Sequence, residues 1–306
     1  MHISQQHSIG LVGAGKVGIV LATALVRAGH TVVSVWDPSP AAIEGARETL
    51  GDFQAASTVA EATAGADLVL LAVPDDVLQG LVQALAAERK DWLGVNVVHV
   101  SGRYGAAVLS PLGDQGAAVI ALHPAMAFSG DRDTELSRIT GARFAVTAND
   151  SARKTAESLV HDMGGIPFKV AESDRVLYHA AMAHATNHLV TLIVQSSAML
   201  ASISVNDTSE VLRPALAAAL DNALLKGAAG ATGPVVRGDI GTVTEHIRAL
   251  AERTPESLPV YRVMSEAAAD IALTAGRISE EVKQRIEQIV GVPSSGPEPL
   301  HASHRS

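Results

Sequence analysis

Short apolar runs alternate with amphipathic stretches through the first half of the chain. Residues 9–12, 31–35, 68–73, 95–100 and 118–122 are rich in Val, Ile and Leu and are nearly continuous in hydrophobicity. Helical periodicity separates them, as in the stretch that runs to Arg27 and in 75–88. Apolar strands alternating with helices predict a parallel sheet covered on both faces. Two further strand-like runs, 143–147 and 167–171, flank a helix at about 150–163. After Glu172 the pattern becomes Ala- and Leu-rich and helical to about Val290, broken only near 227–241 and at Thr254–Pro255. The expected fold class is α/β, a doubly wound, mostly parallel sheet, followed by an all-helical domain. The boundaries are 1–171 for the first domain and 172–291 for the second, with 292–306 a Pro-, Ser- and His-rich disordered tail.

One segment departs from ordinary amphipathicity. Residues 176–206 contain no Asp, Glu, Lys or Arg. They carry His179, His184, Asn187, His188 and Gln195 and have no basic cluster at either end, so a buried interface helix is expected rather than a membrane span. At 100° per residue, His184, His188, Thr191, Gln195 and Ser202 share a narrow stripe, with Asn187 beside it. A polar stripe on an otherwise apolar helix meets either a cleft or a seam of interhelical hydrogen bonds. Tyr178 and His179 fall on another face. His184 and His188 also have i, i+4 spacing, but no third ligand accompanies them and no metal site is expected.

Composition narrows the classes. The chain has 306 residues, 47% of them hydrophobic, 18% charged and 3% aromatic, with no cysteine. A sizeable core is available without disulfides, and thiolate chemistry is excluded. Twenty-three basic residues against 32 acidic give a net charge of −9, which argues against nucleic acid as a partner. The first residues lack the basic and long apolar regions of a secretion signal, so a cytoplasmic protein is expected.

Gly13-Ala14-Gly15-Lys16-Val17-Gly18 matches G-x-G-x-x-G directly after a strand and at the start of a helix. Gly13 makes the turn, Gly15 admits a pyrophosphate and Gly18 allows close helix–sheet packing, with the anion on the free N–H groups of the helix end. Asp37 ends the second strand, where an acid accepts from a ribose 2′-hydroxyl. No Arg follows at once to take a 2′-phosphate, so NAD is preferred over NADP. Val73 and Pro74 end another strand and are expected to line the cofactor crevice.

Two more strand ends carry polar residues: Ser101-Gly102 and His123-Pro124. Ser101 is a candidate hydrogen-bond donor to a substrate oxygen or else a turn residue, and His123 a proton donor or a loop cap. His184 and Asn187 are candidates on the long helix. Arg237 can pair with a substrate carboxylate, or stay solvated while Asp239 caps the next helix. His246 is expected to be structural.

Gly13–Gly18, "LLAVPDDVL" at 70–78, "VVHVSG" at 97–102, "LHPAMAF" at 122–128 and "TGPVVRGD" at 232–239 together resemble a family of Rossmann-like oxidoreductases whose C-terminal helical domain has no assigned function. The resemblance covers nearly all of 8–275. It implies kinship with pyrroline-5-carboxylate reductases, β-hydroxyacid dehydrogenases and ketopantoate reductases, a nicotinamide dinucleotide, and a homodimer packed through the helical domains. The helix Lys used by β-hydroxyacid and ketopantoate enzymes is missing, for Ala183 precedes Asn187 by four residues and His184 by three. The expected activity is hydride transfer between NAD(P) and a small anionic C=O substrate of 2-oxo acid type, with His184 or His123 as acid, Asn187 as orienter, Ser101 as carbonyl contact and Arg237 as anchor. An imine reductase and a dinucleotide-binding sensor without chemistry are the alternatives.

Overall fold

The computed structural model describes residues 5–291. The expected disordered tail, 292–306, lies outside the described residues. Eight strands, β1 (Ser8–Val12), β2 (Thr31–Trp36), β3 (Gln54–Ala55), β4 (Leu68–Leu71), β5 (Asn96–His99), β6 (Ala118–Pro124), β7 (Arg143–Ala148) and β8 (Ile166–Lys169), form one sheet in the order β3-β2-β1-β4-β5-β6-β7-β8. Every neighbouring pair is parallel except β6 and β7. This is the doubly wound, mostly parallel sheet that the apolar runs predict.

Helices α1 (Lys16–Arg27), α2 (Pro40–Leu50), α3 (Val59–Thr63), α4 (Asp75–Glu88), α5 (Ser110–Gly113), α6 (Arg132–Ile139) and α7 (Asp150–Asp162) connect the strands. Their starts are capped as the sequence allows. Ser39 accepts from Ala42 N–H, Asp131 from Thr134 N–H and Asn149 from Ala152 N–H. The sheet separates two cores. Leu68 and Leu70 face the cluster built by α1 and α7, while Val69 and Leu71 face the one built by α4 and Trp92. This alternation inside a continuous apolar run is what burial on both faces produces.

The connection after β6 does not return to the far edge of the sheet, and β7 re-enters beside the end of β6, with His123 opposite Ala145. The two-residue β3 carried no run long enough to be read from sequence.

From Arg175 onward the regular elements of the described residues are helical: α8 (Arg175–Ala201), α9 (Thr208–Lys226), α10 (Pro234–Arg237), α11 (Ile240–Arg253), α12 (Leu258–Thr274) and α13 (Glu280–Val290), with short 3₁₀ turns between some of them. Two compact units divide between Thr186 and Asn187, within α8. The second has a small core of Val235, Val243, Ala269, Ile286 and Val290. Asp239 caps α11 by accepting from the N–H and hydroxyl of Thr242, which holds its carboxyl below the usual range. Helix α8 begins one residue before the charge-free segment and ends at Ala201, and its single buried residue is Arg175. No helix of the described residues is long and apolar enough to cross a membrane.

Candidate active site

The glycine turn lies between β1 and α1. Gly13 has φ +96°, and a Cβ there would collide with the Ala72 carbonyl at the end of β4. A Cβ on Gly18 would collide with the Gly13 carbonyl. Gly15 differs, because a Cβ there meets nothing within 4 Å. Gly15 is also the N-cap of α1 and has no side chain with which to satisfy the first-turn N–H groups. Glycine here leaves open space before a positive helix end, an arrangement that fits a pyrophosphate and asks for no side chain.

Asp37 has a role that the sequence did not reveal. One carboxylate oxygen accepts from Ala14 N–H at 2.8 Å and the other from Ser39 N–H at 2.8 Å. Gly13 N–H donates to the Trp36 carbonyl at 2.8 Å. The acid thus ties the end of β2 to the glycine turn, and this accounts for its presence without invoking a ribose. Val73 and Pro74 connect β4 to α4 on the same edge, with Ala72 against Gly13.

The loop after β5 is built around a histidine. His99 is fully buried; its Nδ1 accepts from Ser101 N–H at 3.2 Å, leaving Nε2–H to donate to the Gly105 carbonyl at 2.8 Å. Tyr104 N–H donates to the Ser101 hydroxyl at 3.2 Å, and Arg103 lies between Asp75 and Asp76. Burial pushes the His99 imidazole down to about 4. The unfolded chain takes up that proton near pH 6.5 and the folded chain does not, so stability falls as pH drops through the window from 6.5 to 4. At pH 5 the loss expected from His99 is about 2 kcal/mol. Urea midpoints at pH 7 and pH 5 measure it, and His99→Gln should shrink the difference by that amount. An unchanged difference would refute this account.

His123, at the end of β6, is where the site converges. Its Nδ1 lies 2.8 Å from the Tyr178 hydroxyl, its ring meets that of His179 edge-on at 5.9 Å between centroids, and its Nε2 faces Gly102. A Cβ on Gly102 would come within 2.6 Å of His179 and 2.9 Å of His123 Nε2, so the loop reaches this pair only as glycine. Burial, then His179 and Arg175, lower the His123 imidazole to about 4, so it is neutral at neutral pH. Burial raises the Tyr178 phenol.

Arg175 sets this geometry. Arg175 is 1% exposed, and its guanidinium donates to Thr147 Oγ1 and to the carbonyls of Ala121 and Ala145. Pinned there, the first turn of α8 directs Tyr178 and His179, at i+3 and i+4, toward His123. The stripe centred on His184 gave no weight to this face, and the Arg-x-x-Tyr-His spacing is the signal that could have found it. His184 lies five residues beyond His179, about 7.5 Å along the axis. His184, Asn187, His188 and Thr191 are exposed. Arg237 is exposed on α10 in the second unit, and His246 there bonds to the Tyr261 hydroxyl at 2.7 Å. Among the described residues no group of three or more His, Cys, Asp or Glu is placed to hold a metal ion.

Residues 3–124 match the family model for a Rossmann-like domain, and residues 142–268 match that for a domain of unknown function, DUF2520. The chain joins a Rossmann-like domain to a DUF2520 domain. No curated protein matches the sequence. Among solved structures, this Rossmann–DUF2520 chain is similar to a Bacteroides fragilis protein provisionally named an NADP oxidoreductase, at 19% identity and a TM-score of 0.74 over 87% of this chain and 98% of the other. It is similar to a reductive aminase from Aspergillus terreus in complex with NADPH and ethyl levulinate, at 17% identity and 0.66 over 93% and 99%. An imine reductase from Myxococcus stipitatus in complex with NADP+ follows at 15% and 0.63 over 91% and 99%. At these identities the likeness establishes the fold. The names carry NADP, which does not support the NAD preference drawn from Asp37.

Proposed function

We propose that the Rossmann–DUF2520 chain is a nicotinamide-dependent oxidoreductase that moves a hydride between NAD(P) and a small C=O compound. The observation that carries this reading is the placement of the His123–Tyr178 pair at the end of β6, on the same edge of the sheet as the glycine turn. Gly13, Ala14, Gly15, Lys16, Val17 and Gly18 would hold the pyrophosphate, with Val73 and Pro74 along the crevice. The bound dinucleotide supplies or accepts the hydride. The protein then has to deliver a proton to the oxygen that gains charge. A phenol raised by burial stays protonated at neutral pH and can give that proton. The phenolate left behind is stabilised by Nδ1–H of neutral His123 and by the buried charge of Arg175. Water returns the proton to Tyr178. Ser101 is the carbonyl contact in this reading, Arg237 the anchor for an anionic substrate, and His184 and Asn187 further polar contacts on α8.

A second reading, reduction of a C=N bond, is favoured by the reductive aminase and imine reductases among the similar structures. Calorimetric titration with NADH and NADPH, followed by cofactor oxidation against 2-oxo acids, neutral ketones and cyclic imines, tests both. Binding without turnover on any of them would leave a dinucleotide sensor, and absence of binding would remove the oxidoreductase reading.

A homodimer through the helical unit belongs to the same proposal. Leu224 is 78% and Leu225 82% exposed, with Val190, Val194, Val211 and Leu220 also exposed on α8 and α9. So much apolar surface on two helices calls for a partner, and a second copy is the occupant expected. Sedimentation should give a dimer, and Leu224→Glu with Leu225→Glu should give a monomer. A monomeric parent protein would refute it.

A further inference from the structure

The segment from Pro124 to α6 leaves β6 beside His123 and passes the glycine turn before α6 packs on α1 through Leu136 and Ile139. At Ser129-Gly130 it is held from within. Glu135 is 1% exposed, and its Oε1 accepts from Gly130 N–H at 2.7 Å and from the Ser129 hydroxyl at 3.2 Å. Its Oε2 is buried and has no hydrogen-bond partner. A buried acid with one oxygen unsatisfied is costly, so it marks a fixed turn rather than a solvated cap. Gly130 has φ +105°, and a Cβ there would come within 3.2 Å of Lys16 Cε, 3.6 Å of Cδ and 3.8 Å of Cγ. The aliphatic stem of Lys16 therefore lies across this glycine. Arg132 fixes the following helix by donating to the Gly45 carbonyl and Thr49 Oγ1 on α2, at 3.1 and 2.6 Å.

Lys16 is the single cation in the Gly13–Gly18 turn, and it is exposed. A free lysine loses much rotamer freedom when it engages a phosphate, and a stem already held against backbone loses less. We propose that the Ser129–Gly130 turn, positioned by Glu135, is a brace that holds Lys16 for the pyrophosphate of the dinucleotide. Glu135 is a positioning residue and does not touch the cofactor. The proposal rests on the reading of the glycine turn as a nucleotide site.

The experiment is a double-mutant cycle on NADPH and ADP-ribose affinity, read by calorimetry with thermal melts as folding controls. Lys16→Gln keeps the stem and removes the charge, and each ligand should bind about tenfold more weakly. Glu135→Leu should cost about as much. The double variant should be nearly as weak as either single one, rather than about a hundredfold weaker, because both act through the same ammonium group. Glu135→Gln retains an acceptor for Gly130 N–H and should bind within about twofold of the parent. Multiplicative losses, or a Glu135→Leu protein that binds like the parent, would overturn the brace. If Glu135→Leu does not fold, Ser129→Ala removes one of the two groups that Glu135 Oε1 holds without straining the backbone, and it should weaken both ligands about twofold in the parent but not in Lys16→Gln. Equal effects in the two backgrounds would also overturn it. A parent protein that binds neither ligand would instead sink the nucleotide-site reading.

Discussion

Gly15→Ala is expected to melt within a degree or two of the parent protein and to bind NADPH about a hundredfold more weakly. The two halves of this result have separate causes. Gly15 has φ −76° and ψ −171°, an extended backbone that alanine adopts without strain, and its Cβ would meet no protein atom within 4 Å. The methyl would occupy only the space before the free N–H groups of α1. Gly18→Ala is the contrasting variant. Its Cβ would strike the Gly13 carbonyl and lie 3.0 Å from the Ala72 Cβ, so β1, α1 and the end of β4 would have to separate. Overpacking of this kind costs about 3 kcal/mol or more. Thermal melts and nucleotide titrations of both variants check the pair. A Gly15→Ala protein that keeps parental affinity would show that the open space is not where the phosphates go.

Tyr178→Phe is expected to lower kcat for a carbonyl substrate by 10²- to 10⁴-fold, the ordinary range for a positioned proton donor, and to leave nucleotide affinity within about twofold. The hydroxyl is removed while the ring contact with Phe168, at 5.9 Å between centroids, is kept. The same variant separates the two substrate classes. A protonated imine arrives with its proton already in place, so its reduction should fall much less than that of a ketone. Because His123 is pushed down to about 4, activity should show no break near pH 6.5 from this residue. Equal losses of kcat and nucleotide affinity would mark Tyr178 as structural.

Much of this was legible in the sequence. Runs such as 68–73 announced a strand buried on both sides, and the structure assigns their alternate residues to two different cores. The glycine turn could be placed because its motif, the strand before it and the acid after it are all local. What stayed hidden depends on contacts distant in the chain. His123 meets Tyr178 across 55 residues, and Arg175 meets Ala121 across 54. Helix periodicity reports which residues share a face but not which face meets the sheet, so the stripe through His184 drew attention from the first turn of α8. Asp37 shows a complementary gap. Its position was read correctly, but an acid that binds two backbone N–H groups looks the same in sequence as one that awaits a ribose.

The two outer strands of the sheet also bear on how copies of the protein associate. On one side β3 has only two residues, too few to template a ladder, and on the other β8 places Pro167 and the exposed Lys169 within four. A proline withholds a donor and a lysine repels a stacking copy, so neither margin recruits a further strand. Copies of the folded protein that associate should therefore do so without extending the sheet, and such assemblies should bind little thioflavin, because the surfaces left to join them are helical.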